Sequence, residues 1–148
     1  MGDFRPKKDS PTIPLVGLSS WNTEKLIATG NEYTRNSIFL DVFSAAAETD
    51  PAFVEAYRTE TGRTPSSIEA ATVDVGKLLA AAGRSQATNR ASFLTALEEA
   101  ELADAITGAT GIDAERRGLN PQWHILTITR DALERVATVD LDGKPVVQ

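Results

Sequence analysis

The chain has 148 residues, 41% of them apolar and 24% charged, with a formal net charge of −6. That length suffices for one ordinary domain with its own hydrophobic core, no apolar run approaches the roughly 20 residues that span a bilayer, and the acidic balance argues against a nucleic-acid-binding surface. Cysteine is absent and histidine occurs once, so disulfides, thiolate chemistry and a Cys/His zinc site are not expected, and neither is any cofactor.

Residues 1–12 read as a flexible lead or linker. They carry the basic cluster "RPKK" beside prolines, too few charges for strong phosphate contact, and they lack the apolar stretch of a secretory signal. Residues 13–148 read as one α/β unit. The run "IPLVG" (13–17) is a buried strand. Gly17 lets the backbone turn, Leu18 is expected to fold back onto the core, and Ser19, Ser20 and Trp21 emerge at the strand's carboxyl end, where open α/β sheets bind ligands. The two hydroxyls suit a small polar ligand; they suit a turn and a secondary helix cap equally well. Trp21 either stacks on a ligand or plugs an interface between lobes. Thr23 caps a short helix over 24–29 that Gly30 closes.

In "NSIFLDVF" (36–43), Ile38, Leu40 and Val42 alternate with Phe39, Asp41 and Phe43. That is a strand apolar on both sides, expected to be covered on both. Asp50 as N-cap, Pro51 at N1 and Gly62 as stop delimit a helix with Phe53, Val54 and Tyr57 on its apolar stripe. Ser66 and Glu69 have capping-box spacing and open a second helix, whose stripe is Ile68, Ala71, Val75, Leu78, Leu79 and Ala82. A third helix, capped by Thr88, carries Phe93, Leu94, Leu97 and Ala100. The glycine-rich 107–121 reads as loop. It lacks the lysine of a P-loop and the spacing of a dinucleotide fingerprint. "QWHILTIT" (122–129) and "LERVATVDL" (133–141) read as strands, followed by a tight turn at Asp142-Gly143.

Strand, helix, strand, three helices, two strands is an α/β order with few strands. A strand–loop–helix opening implies neighbours for its strand, and these are expected upstream. The candidate functional groups are sparse. Asp74 sits mid-helix beside the apolar stripe and reads as structural. His124, inside a strand and without nucleophile or metal partners, reads as a half-buried hydrogen-bonded residue. Glu98, Glu99, Glu101 and Asp104 spread over a solvated face. No nucleophile, base and orienting group come together, so the reading is noncatalytic.

Three stretches together resemble the type I periplasmic-binding-protein superfamily. "IPLVGLSSWNTEKLIATGNEYTRNSIFLDVF" is similar to the family's strand with a small-residue ligand loop and its crossover strand. "DPAFVEAYRTETGRTPSSIEAATVDVGKLLAAA" resembles its helix pair, with an F-x-x-x-Y and a G-x-x-P element. "ITGATGIDAERRGLNPQWHILTI" resembles its late G-x-x-G, acidic turn and final strand. The nearest members are receptors of branched-chain amino-acid ABC importers and penicillin-binding-protein activators. The resemblance implies an α/β fold, the later portion of a two-lobed Venus flytrap with parallel sheet elements covered by helices. It implies ligand binding by lobe closure in a periplasmic or envelope parent protein, or, as in the activators, protein interaction in the envelope. Ser19, Ser20 and Trp21 are the expected ligand-contacting residues. Two departures bear on the ligand: the loop Leu18–Trp21 lacks the carboxylate that would meet an ammonium, and Val73-Asp74-Val75 stands where the family has Tyr-Asp-Ala. A neutral or hydrogen-bonding ligand group, or a protein surface, is expected instead. Taken alone, strands without their neighbours invite a homo-oligomer or swapped dimer.

Overall fold

The computed structural model describes residues 15–23, 25–26, 28–29, 34–113, 115, 117–129 and 132–146. Strand β1 (Val16–Gly17) is followed by a 3-10 turn (Ser19–Trp21), then β2 (Ile38–Asp41), helices α1 (Pro51–Thr61), α2 (Ser67–Gly83) and α3 (Arg90–Glu98), a short pair β3 (Gly111–Ile112) and β4 (Gly118–Leu119), and the long strands β5 (Gln122–Ile128) and β6 (Leu133–Asp140). The main sheet runs β1-β2-β5-β6. β1 and β2 are parallel, and the pairs β2–β5 and β5–β6 are antiparallel. The strand expected from residue 13 is seen from Val16 onward, its first residues and Gly30 lying outside the described ones. Thr23 Oγ1 accepts from Leu26 N at 3.2 Å, as a cap does.

Local signals set most boundaries. Asp50 accepts from Phe53 N at 2.9 Å. Gly62, at φ +70°, closes α1 with its N–H on the Arg58 carbonyl, a conformation that suits glycine. The Ser66/Glu69 capping box is complete. The turn after β6 closes through Gly143 N to Asp140 O at 3.0 Å. The third helix departs from expectation. Its cap is Asn89, in a reciprocal box with Ser92, and not Thr88; the helix ends at Glu98, so Ala100 lies beyond it. Asn89 wins because its carboxamide reaches the N3 amide while Ser92 Oγ accepts the Asn89 amide in return. The region expected to be plain loop contains the hairpin β3–β4, its ends tied by Asp113 N to Arg117 O at 2.9 Å and by an Arg117–Asp113 ion pair.

Two apolar clusters form. Phe39, Leu126, Ile128 and Leu133 pack on the inner face of the sheet, and Phe43, Val54 and Ala70 join the end of β2 to α1 and α2. The ring of Phe53 meets Phe43 edge-on at 5.6 Å. Two expected patterns of burial are corrected here. β2 buries Phe39 and Asp41 but leaves Ile38 and Leu40 39% and 45% exposed, so it is covered on one face only. α2 buries Ala70, Asp74, Leu78 and Ala82, whereas Ile68, Val75 and Leu79 of the expected stripe are 76%, 55% and 46% exposed. Both elements are apolar on two sides, and the rest of the described chain packs against only one.

Candidate ligand cleft

The loop after β1 is built on close contact. Trp21 N donates to Leu18 O and Asn22 N to Ser19 O, both at 2.9 Å, closing the 3-10 turn. The indole lies over Gly17, where an added methyl would collide with the ring, and packs against the cluster of Phe39, Leu126, Ile128 and Leu133. Leu18, expected to fold inward, is 76% exposed. Leucine and tryptophan have exchanged places, because Gly17 leaves a flat vacancy that the larger apolar ring fills with more buried area. Ser19 and Ser20 are exposed.

Immediately after this turn opens a cleft of about 370 Å³. Its walls are Asn22 and Thr23, Ala45 and Ala46 after β2, residues 64–67 at the head of α2, and Leu133. Ser19, Ser20 and Trp21 stand next to it in sequence but do not line it. The walls converge on Asp41, which is buried. Its carboxylate accepts from Asn22 Nδ2 at 2.8 Å and from Val42 N at 2.7 Å, with further hydrogen bonds from Phe43 and the Ser67 side chain. Asn22 Nδ2 also donates to Phe43 O at 2.6 Å, and Asn22 Oδ1 accepts from Ser44 Oγ at 3.0 Å. Burial pushes the Asp41 carboxyl above its ordinary 3.8, and the hydrogen bonds from Asn22, Val42, Phe43 and Ser67 pull it back. One side chain thus ties together the loop after β1, the end of β2 and the start of α2. Sequence reasoning passed over Asp41, Asn22 and the hydroxyls of the cleft. An acid inside the apolar run "IFLDVF" was the available signal, since a buried carboxylate needs several donors.

The hydroxyls share one property. Thr23 Oγ1 accepts from Leu26 N, Thr64 Oγ1 from the Arg58 guanidinium at 3.1 and 3.3 Å, and Ser66 Oγ from Glu69 N. Thr23 and Thr64 each have a lone pair engaged and keep the proton to donate, whereas the Ser66 hydroxyl is shared with the Glu69 carboxylate. No charged side chain lines the cleft among the described residues. Behind it, Glu69 is held down at about 2 by the Ser66 N–H, the Tyr57 hydroxyl and the Ser66 side chain. Tyr57 Oη donates to Glu69 Oε1 at 2.7 Å, and that carboxylate pushes the phenol above its ordinary 10.0.

The remaining polar candidates are structural. Asp74, buried in α2, accepts from Ile106 N, Thr107 N and Thr107 Oγ1 at 2.7–2.8 Å and so moors the loop after α3. His124 is more deeply buried than expected. It sits opposite Asp41 in the β2–β5 register, with Nδ1 3.0 Å from Thr138 Oγ1. Burial, aided by Arg135, lowers its pKa below 6.5. Glu98, Glu99, Glu101 and Asp104 are exposed, and Asp104 pairs with Lys77. Among the described residues no helix is long and apolar enough to cross a membrane, and no cluster of His, Cys, Asp and Glu could hold a metal ion.

No protein-family model and no curated protein matches the chain. Solved structures do. The leucine-binding protein LivK of Thermotoga maritima superposes with a TM-score of 0.68 over 86% of this chain at 18% identity. LivJ, the branched-chain amino-acid transporter substrate-binding protein of Streptococcus pneumoniae, solved with isoleucine, matches 83% at 27% identity and a TM-score of 0.63. An ABC-transporter solute-binding protein of R. palustris, in complex with benzoate, matches 92% at 17% identity and a TM-score of 0.66. The chain spans 37–38% of the length of these three. It has part of the type I periplasmic-binding-protein fold, and its structural neighbours are substrate-binding proteins.

Proposed function

We propose that the chain is the noncatalytic ligand-binding portion of a substrate-binding protein related to amino-acid ABC-importer receptors. Residues 13–148 form its later part and 1–12 a lead. The observation that carries the reading is the cleft at the carboxyl ends of the parallel strands β1 and β2, its walls fixed by Asp41. Open α/β sheets take ligands at this place. A wall without a charged side chain among the described residues, with hydroxyl protons from Thr23 and Thr64, suits an oxygen acceptor, such as the carboxylate that isoleucine and benzoate share. Ser19 and Ser20 are proposed as further ligand contacts from the exposed turn that precedes the cleft, and Trp21 braces that turn against the core. Closure of a second lobe over the ligand then signals occupancy to a partner, in a parent protein of the periplasm or envelope.

Thermal melting against amino acids, aromatic and aliphatic carboxylates and the matching amines tests this. A carboxylate that binds the native state alone raises the melting midpoint, and the rise disappears in Thr64→Val. Stabilisation by amines alone, or by none of the panel, overturns it. The exposed apolar faces of β2 and α2 favour a second reading, an envelope interaction module like the penicillin-binding-protein activators, which would be stabilised by a protein partner and by no ligand in the panel.

A further inference from the structure

Two segments that wall the cleft, Asn22-Thr23 and residues 64–67, are held through one carboxylate. Both Nδ2 protons of Asn22 are spent inside, on Asp41 Oδ2 at 2.8 Å and Phe43 O at 2.6 Å, and its Oδ1 takes the Ser44 hydroxyl at 3.0 Å. Asn22 is therefore an anchor for Thr23 and not itself a ligand contact. On the other side the Ser67 side chain bonds Asp41 from the head of α2, next to Ser66 and near Thr64. The two hydroxyls offered to a ligand, Thr23 and Thr64, thus sit on segments that Asp41 ties to the end of β2.

The buried Asp41 carboxylate is met by donors: Asn22 Nδ2, Val42 N at 2.7 Å, Phe43 N and the Ser67 hydroxyl. Four donors match the roughly four lone-pair sites of an ionised carboxylate and leave no place for a proton. Val42 and Phe43 continue the strand and cannot leave. Asn22 and Ser67 belong to other segments. The Ser67 hydroxyl can turn and accept the proton of a neutral Asp41. The Asn22 amide cannot, because its nitrogen has no lone pair to offer and its oxygen is held by Ser44. Whichever oxygen is protonated, the bond from Asn22 loses the charge that makes it about twice as strong as a neutral one. Hydrogen bonds and not a cation hold the Asp41 charge among the described residues, and burial favours its neutral form, so the proton goes on while the chain is folded. The titratable neighbours are otherwise engaged. On β5, His124 stands opposite Asp41 with Nδ1 3.0 Å from Thr138 Oγ1. On α2, Glu69 takes the Ser66 N–H and the Tyr57 hydroxyl. After β2, Glu48 is exposed and Asp50 caps α1. Residues 15–23 carry no titratable side chain.

We propose that Asp41 and Asn22 form an acid-released latch on the cleft. With Asp41 ionised, the segments bearing Thr23 and Thr64 are held in the geometry that takes a ligand; with Asp41 neutral, the Asn22 segment lets go and ligand affinity falls. Both are positioning residues, acting through the hydroxyls they place. The effect on affinity rests on the reading of this cleft as the ligand site; the latch itself rests on the hydrogen bonds alone.

The test is an NMR titration of the 148-residue chain without ligand, from about pH 7 to about pH 4, that follows the Asp41 carboxyl carbon, the His124 ring, the Asn22 side-chain amide and the Thr23 backbone amide. The Asn22 and Thr23 signals should move with the Asp41 midpoint while the chain stays folded. Signals that stay fixed, or that follow the His124 ring instead, overturn the inference. Asp41→Asn sets amide protons against the same donors, so it should put Thr23 in its low-pH position already at pH 7 (about neutral) and abolish the movement; if this variant fails to fold, the titration of the unaltered chain decides. Isoleucine is the probe of affinity, since its carboxyl stays ionised down to about pH 4. Its apparent Kd should rise about fivefold or more from above the Asp41 midpoint to below it, and Asp41→Asn should bind it weakly at both. Signals that move while the isoleucine Kd stays constant overturn the coupling to ligand. A chain that binds neither isoleucine nor any acid of the panel removes the proposed function, and the latch is then decided by the resonances, which involve no ligand.

Discussion

Strand β2 and helix α2 share an inversion. Each buries an aspartate and exposes aliphatic side chains: Asp41 lies inside with Ile38 and Leu40 outside, and Asp74 lies inside with Val75 and Leu79 outside. The two acids do different work. Asp74 takes all its hydrogen bonds from one loop, 106–107, and holds it. Asp41 gathers donors from three separate segments that wall the cleft. The interior thus combines two apolar clusters with two buried carboxylate ties, while Ile38, Leu40, Val75 and Leu79 face outward. Burial alone does not identify which residues matter for stability, since the ties are the charged ones.

The largest effect is expected at the single-loop tie. Asp74→Ala leaves two backbone N–H groups and a hydroxyl without their acceptor at a largely buried site and should cost about 3–5 kcal/mol in urea melts; a loss under 1 kcal/mol would show that water replaces the carboxylate there. Next come adjacent residues on opposite sides of α2. Leu78→Ala should cost about 2–5 kcal/mol and Leu79→Ala in the isolated chain less than about 1 kcal/mol. Equal losses would mean that the outer face is covered in solution. A smaller effect follows pH. The folded state keeps His124 neutral, with its pKa below the ordinary 6.5, so the unfolded chain takes up the proton first. This contribution is complete above pH 6.5 and is lost as pH falls through the lowered folded value. Asp41 acts in the opposite sense. Its pKa is raised, so the folded state holds a proton in a window just above 3.8 and Asp41 favours folding on acidification there. Denaturant melts between pH 5 and 7 (about that span) should show the histidine limb, and His124→Gln should flatten it; an unchanged slope would assign the limb elsewhere. The smallest effect belongs to the exposed pair Lys144–Asp142, 74% exposed on each side: Lys144→Ala should move stability by no more than about 0.5 kcal/mol.

Much of the fold was legible because its signals are local. The Asp50–Pro51 start, the Ser66–Glu69 box, Gly62 and the Asp142-Gly143 turn each act through neighbours a few residues away, and each is where it was expected. The resemblance to type I binding proteins rested on motifs in order along the chain, and the superpositions support the same fold. The cleft was less legible. Ser19, Ser20 and Trp21 precede the candidate cleft in sequence, and its wall falls to Asn22 and Thr23, because the indole drops into the space over Gly17 and the chain advances one turn before it faces the cavity.

The sequence by itself determined where α1 and α2 begin and end and which strands make up the main sheet, since caps, turns and periodicity are set by residues within one or two turns of each other. It also showed that β2 and α2 are apolar on two sides. Which side is inside was decided by tertiary structure alone. Leu126 meets Phe39 across the sheet and leaves Leu40 opposite Ile125 on the outer face; Thr107 meets Asp74, and Val75 stays exposed. Periodicities of 2.0 and 3.6 define faces, and only a partner distant in the chain can choose between them.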